Sequence, residues 1–157
     1  GNAGATYTRL LDKMRLQGLS VRDVMTRRPV TVEPETSVRD LVDDIVYRYH
    51  YHRYPVVEGD RLVGWIGSRQ VKAIPQAQWP HLRVRDVMAP AGGDITVPAS
   101  TDAETALDRL QQAQDGWLIV TNGAQIAGVV ALRDLRTYLQ LRAALGGKTM
   151  PPNHPES

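Results

Sequence analysis

The segment Val21-Arg22-Asp23-Val24-Met25 returns 63 residues later as Val84-Arg85-Asp86-Val87-Met88, and a repeat of this length means that one supersecondary unit is used twice. The rest of the chain keeps step. Thr31-Val32 matches Thr96-Val97, Pro55-Val56-Val57 matches Leu118-Ile119-Val120, and Leu62-Val63-Gly64 matches Ile126-Ala127-Gly128, at offsets of 63 to 65.

The hydrophobic period changes in the same order in both copies. An extended stretch carrying Val30 and Val32 gives way to Val38, Leu41, Val42, Ile45, Val46 and Tyr49 at helical spacing, with Ser37 as the expected cap. In the second copy Ala103, Ala106, Leu107, Leu110 and Ala113 form the stripe, behind a Thr101/Glu104 capping-box pattern. Two short apolar runs follow each helix. They are Tyr54 to Val57 and Leu62 to Ile66 around Glu58-Gly59-Asp60, then Trp117 to Val120 and Ile126 to Ala131 around Asn122-Gly123, a dipeptide that favours a two-residue hairpin. A second helix closes each copy, short after Ser68 and long after Arg133, where Leu135, Tyr138, Leu139, Leu141 and Leu145 recur. The expected fold is α+β (α/β): two βαββα repeats whose apolar sheet faces, too small to be stable alone, pack with pseudo-twofold symmetry.

An amphipathic helix with Tyr7, Leu10, Leu11 and Met14 on one face and Gly18 as its stop precedes the first copy. The chain thus divides into a linker helix (1–18), a first repeat (19–80), a second repeat (81–145) and a polar, proline-rich tail (146–157) expected to be disordered. The joint from Pro75 to Leu82, with two prolines and Trp79, reads as an ordered connector. The opening Gly1-Asn2-Ala3, without methionine, suggests a segment cut from something longer.

Composition removes several function classes. There is no cysteine, hence no disulfide, thiolate metal site or thiol nucleophile. A net charge of +2 with interleaved acids and bases gives no strong nucleic-acid signal, the one local excess being Arg9, Lys13, Arg15, Arg22, Arg27 and Arg28 against Asp12 and Asp23. No apolar run reaches the length of a bilayer span and no signal peptide is visible. A cytoplasmic location follows as the expectation, with a membrane reached only through a parent chain.

The paired Val-Arg-Asp-Val-Met segments, the strand Tyr54-Pro55-Val56-Val57, and the endings Gly64-Trp65-Ile66-Gly67-Ser68-Arg69-Gln70 and Gly128-Val129-Val130-Ala131-Leu132-Arg133-Asp134 resemble the CBS domain, and together the tandem pair called a Bateman module. The resemblance spans Leu19 to Leu145. It implies a non-catalytic regulatory module that forms a homodimer, requires no cofactor, and takes an adenine nucleotide (AMP, ADP or ATP) or S-adenosylmethionine as ligand. More narrowly, Tyr49-His50-Tyr51-His52-Arg53-Tyr54-Pro55-Val56-Val57 and the connector Val71-Lys72-Ala73-Ile74-Pro75 to Trp79-Pro80 resemble the CBS pair that follows the membrane domain of some site-2-protease-like zinc metalloproteases. There the module lies on the cytosolic face. The zinc motif His-Glu-x-x-His is absent from this chain, so protease chemistry would lie in the parent.

The family's ribose and phosphate anchors are a hydroxyl residue and an aspartate three positions later, where the last strand meets the last helix. Asp134 occupies the ribose position of the second copy, Arg133 reaches for phosphate, and Ile95, Val97, Trp117 and Leu118 border the base, while Ala131 stands where the hydroxyl belongs. In the first copy Gly67 and Gln70 replace both anchors, so only a weaker site involving Gln70 and Tyr54 is expected. An acid in a first helical turn is also favoured by the macrodipole without any ligand.

The run from Tyr47 to Tyr54 interleaves aromatic and basic residues, a composition that stacks bases and holds phosphates. This supports an alternative reading as a nucleic-acid-binding domain. The simpler expectation is structural, with alternate side chains serving core and surface where helix gives way to strand. His50 and His52 lack an evident third metal ligand, and Ser68, without a histidine and acid in any recognised motif, reads as a helix cap. No catalytic residue and no metal site is assigned.

Overall fold

The computed structural model describes residues 11–113 and 115–146. Tyr7 and Leu10 of the leading helix, and the tail beyond Gly146, lie outside the described residues. Residues 11–15 are helical and turn out at 16–18, where Gly18 takes φ 82°.

The chain forms two compact units, and their membership is interleaved with respect to the repeats. One unit gathers residues 11–27 with Ile95–Asn122 and residues 127–146; the other holds Arg28–Asp94 with Gly123–Ile126. The first Val-Arg-Asp-Val-Met segment therefore packs with the second repeat, and the second with the first. Residues 19–27 and 81–94 lie across the divide from the contiguous spans 19–80 and 81–145.

Backbone hydrogen bonds explain the exchange. In the first unit the short helix α1 (Val21–Val24) and strand β1 (Thr26–Arg27) precede β4 (Thr96–Pro98), α5 (Ala103–Gln112), β5 (Trp117–Asn122), β6 (Gln125–Ala131) and α6 (Leu132–Ala144). Val21 N–H donates to the Thr101 carbonyl at 2.8 Å and Arg22 N–H to that of Ala99 at 3.1 Å, while Ala103 N–H returns to Leu19 at 2.9 Å. β1 runs antiparallel to β6 in the register Thr26↔Val129 and Arg27↔Gly128. β5 lies beside β6 and is parallel to β4, with Thr96 opposite Ile119.

The other unit repeats this plan with α2 (residues 38–49), β2 (Arg53–Glu58), β3 (Arg61–Gly67), α3 (Ser68–Lys72), a 3₁₀ turn (Gln76–His81) and α4 (Val84–Val87). Val84 N–H donates to Thr36 at 2.8 Å, Arg85 N–H to Pro34 at 2.9 Å, and Val38 N–H to Leu82 at 2.8 Å. Ala89 bridges Trp65 of β3 as β1 pairs β6, and Val32 bridges Val56 in parallel as β4 pairs β5. Each unit buries its own core. One is built on Val21, Met25, Leu107, Leu110, Leu118 and Leu135, the other on Val38, Leu41, Tyr54, Val56, Ile66 and Val84.

Several local expectations change. α2 runs Val38–Asp40, then a π-helical Leu41–Val46, then Tyr47–Tyr49. The wider π turns slip the helical phase, so Val38, Leu41 and Val42 are buried whereas Tyr49 stands exposed. Ser37 does cap α2, its Oγ accepting from Asp40 N–H at 3.0 Å. α5 instead takes Asp102 as its N-cap with no side-chain cap bond, so Thr101 lies one residue ahead of the capping position. Ser68 is the first helical residue of α3 rather than its cap, which is Gly67. Both hairpin loops have positive φ at their first residue only, Gly59 (64°) and Gly123 (66°), leaving Asn122 in the strand.

Candidate functional site

Topology brings the second-copy candidates to one end of their unit. Ile95 leads into β4, Trp117 and Leu118 open β5, Ala131 ends β6, and Arg133 and Asp134 lie in the first turn of α6. Ile119 N–H donates to the Ile95 carbonyl at 2.8 Å, which fixes the two strand starts side by side. Leu132 N–H donates to the Gly116 carbonyl at 2.9 Å, which seats the α6 N-terminus against the β5 start. Gly116 adopts φ 60° there, and an added Cβ would stand 3.2 Å from Leu132 Cβ. Gly116 is a positioning residue that the sequence reading passed over, although a glycine just before a strand signals a left-handed turn.

The side chains sort by exposure. Val97 and Leu118 are fully buried at 1% each, so both belong to the core beneath the strand starts. Ile95, Trp117 and Ala131 are half-buried, and Arg133 and Asp134 are exposed.

Asp134 differs from its counterparts in what its side chain does. At the third position of α1, Asp23 Oδ2 accepts from the backbone N–H of Ser20 at 2.9 Å and from its hydroxyl at 3.3 Å. At α4, Asp86 Oδ2 accepts from Arg83 N–H at 2.9 Å. At α3, Gln70 Oε1 accepts from Gly67 N–H at 2.7 Å, while Gln70 Nε2 donates to the Trp65 carbonyl at 3.4 Å. α6 begins at Ala131 with no side-chain cap, and the Asp134 carboxylate makes no hydrogen bond or ion pair among the described residues.

The first-copy candidates are occupied internally. Gln70 is held as described, and Tyr54 is 1% exposed with its hydroxyl accepting from Tyr51 N–H at 3.1 Å. Burial, partly offset by that bond, raises the Tyr54 phenol above its ordinary pKa. A Cβ on Gly67 would come within 3.2 Å of both Gln70 Oε1 and the His52 carbonyl, so a hydroxyl residue has no place there without a shift.

The CBS domain family model matches residues 21–74 and 84–141. This chain belongs to the CBS domain family. The CBS pair is a regulatory module, and no catalytic function attaches to the pair itself. Among curated relatives, the zinc metalloprotease MJ0392 of Methanocaldococcus jannaschii is 29% identical over 119 residues, 76% of this chain and 32% of the relative. Inosine-5'-monophosphate dehydrogenase of Bifidobacterium longum is 30% identical over 112 residues, 70% of this chain and 20% of the relative. The chain thus spans 32% and 20% of the length of these two relatives. Among solved structures, the CBS domain of a bacterial CNNM/CorC family Mg2+ transporter in complex with ATP superposes with a TM-score of 0.71 at 23% identity, covering 84% of this chain and 94% of that one. CBSX2 in complex with AMP, a CBS-pair protein of Arabidopsis thaliana, gives 0.67 at 25%, covering 80% and 99%. Among the described residues, no helix is long and apolar enough to cross a membrane and no group of three or more metal-ligating side chains occurs.

Proposed function

We propose that this CBS pair senses an adenine nucleotide at a single site on the unit that holds α6, and passes that state to an attached enzyme. The observation that carries the reading is the free carboxylate of Asp134. Three equivalent side chains cap their own helices, whereas Asp134 is left over at a helix start whose N–H groups and positive end favour a phosphate. Ribose hydroxyls donate to Asp134, Arg133 meets phosphate, and the base lies against Ile95 and Trp117 over the buried floor of Val97 and Leu118. Ala131 supplies no hydroxyl, so the site is weaker than one with both anchors. The ATP and AMP complexes of the structural neighbours support an adenosyl ligand. With Gln70 and Tyr54 bonded internally, the first copy contributes no second site of comparable strength.

The parent enzyme in this reading is a zinc metalloprotease at the cytosolic face of a membrane, and the module acts as a homodimer. The alignment with MJ0392 supports the parent; the dehydrogenase relative defines the competing one. Thermal melts with AMP, ADP, ATP and S-adenosylmethionine test the site: at least one stabilises the chain, and Asp134→Ala removes that stabilisation. No shift with any of the four refutes ligand sensing. Light scattering reads the dimer. A full-length reading frame with His-Glu-x-x-His and apolar spans upstream supports the protease parent, and a dehydrogenase frame removes it.

A further inference from the structure

The run from Tyr47 to His52 is exposed at every residue, and the first side chain the core takes up is Tyr54. This departs from the alternation expected of a helix-to-strand junction. Tyr47 is 68% exposed, Tyr49 39% and Tyr51 56%. The π-helical stretch Leu41–Val46 turns this end of α2 outward. His50 then takes φ 66° and ψ 28°, a left-handed geometry that strains a residue with a Cβ. Tyr51 beyond it is held edge-on to the buried Tyr54 ring, centroids 6.0 Å apart. The rings are thus presented by fixed backbone, with the Arg48 guanidinium 5.3 Å from the centre of the Tyr49 ring.

Cations gather on the same side of this unit. His52 accepts through its carbonyl from Ser68 N–H at 2.9 Å, and its Nδ1 lies 3.4 Å from Ser68 Oγ. This places the start of α3, with exposed Arg69 and Lys72, next to the aromatic run. No Asp or Glu occurs from Ile45 to Val57 or from Arg61 to Arg85, whereas α2 itself carries Asp40, Asp43 and Asp44, the last two exposed a turn before Tyr47 and Arg48. The corresponding stretch of the second repeat, Gln111 to Gly116, has no aromatic residue, so the fold does not demand the tyrosines.

We propose that this surface binds single-stranded nucleic acid, with bases stacking on Tyr47 and Tyr51 and phosphates meeting Arg48, Arg69 and Lys72. Accessible π-faces flanked by cations are what an unpaired strand needs, and the selectivity comes from stacking rather than base-edge readout. A duplex keeps its bases stacked on each other, so it gains only the charge contacts.

Fluorescence anisotropy with a labelled 20-residue oligothymidylate, on the whole 157-residue chain, tests this. Binding is expected to weaken with salt and to exceed that of a duplex of the same length. Tyr47→Ala with Tyr51→Ala weakens it by about tenfold or more, whereas Tyr47→Phe with Tyr51→Phe retains it, because the π-face survives. Both rings are exposed, and an unchanged circular-dichroism melt shows that the alanine variant is folded. Absence of oligothymidylate binding at about 50 mM salt overturns the proposal. So does equal binding of duplex, full binding by the alanine variant, or binding to anionic phosphatidylserine vesicles without binding to the oligonucleotide.

Discussion

Gly128→Ala probes the contact that joins each Val-Arg-Asp-Val-Met segment to its unit. β1 crosses β6 at Arg27↔Gly128, and a Cβ on Gly128 would run into the Thr26 carbonyl oxygen and stand 2.9 Å from Met25 Sδ. Carbon wants about 3.5 Å or more from such neighbours. Met25 is 2% exposed and the carbonyl is backbone, so neither has room to yield. The other unit repeats the arrangement, with a Cβ on Gly64 only 2.6 Å from the Ala89 carbonyl and 2.8 Å from Met88 Sδ. Overpacking of this kind costs about 1–3 kcal/mol, which lowers the melting temperature of a chain this size by about 2–12 °C. Combining it with Met25→Ala relieves the sulfur clash but not the carbonyl clash, so the double variant loses less stability than the sum of the singles. Circular-dichroism melts of the four proteins complete the cycle. A Gly128→Ala melt within about 1 °C of the parent, or strict additivity with Met25→Ala, would refute the close-approach account.

Asp134→Ala lowers the ligand-free stability only by the helix-dipole contribution of an acid in the first turn, about 0.3–1 kcal/mol, yet weakens nucleotide affinity by about tenfold or more; calorimetric titration reads the loss. By contrast, Asp23→Ala, which strips the acceptor from Ser20, costs about 1 kcal/mol in a urea melt. Ala131→Thr restores a hydroxyl at the start of α6, and both melting temperature and nucleotide affinity rise. Tyr54 has a raised pKa, so above about pH 10 the unfolded chain loses the phenolic proton first, binds fewer protons than the native state, and stability falls with rising pH. That alkaline loss is present in the parent and reduced in Tyr54→Phe when melts are compared between pH 9 and 11.

The repeat, the element order and most core positions were legible because they rest on periodicity and on residues that recur in register. Val38, Leu41, Val42, Ala103, Ala106, Leu107 and Leu110 are buried as their spacing predicts. What escaped depends on partners distant in sequence. Nothing local says that Met25 meets Gly128 rather than Gly64, so the interleaving of the units stayed hidden. The π turn in α2 leaves no mark in a hydrophobic pattern that fits an ordinary helix, and the outward turn of Tyr49 went with it. For the candidate site, the positions of Asp134, Ala131 and Gln70 were readable from the endings of the two copies. The difference in their bonding was not, because it depends on whether a side chain folds back onto its own N-cap.

The two units hold the same backbone hydrogen bonds at corresponding places and the same glycine-to-methionine contact, so differences between them are not set by the fold. Apart from the π turns of α2, the ones that bear on binding fall on exposed or end-of-strand side chains. Arg85 is held by Glu35 at 2.6 Å and Glu58 at 3.4 Å, whereas its twin Arg22 has Ser100 and Asn122 at the matching positions. Gln70 satisfies its own helix while Asp134 is left free, and Tyr47, Tyr49 and Tyr51 stand where the second repeat has Gln111, Ala113 and Asp115. Duplication supplied two equal frames, and function belongs to the sites where they have diverged. On that logic the proposed adenosyl site falls on the unit whose anchor carboxylate is unspent, and the proposed aromatic surface on the unit whose anchors are already used.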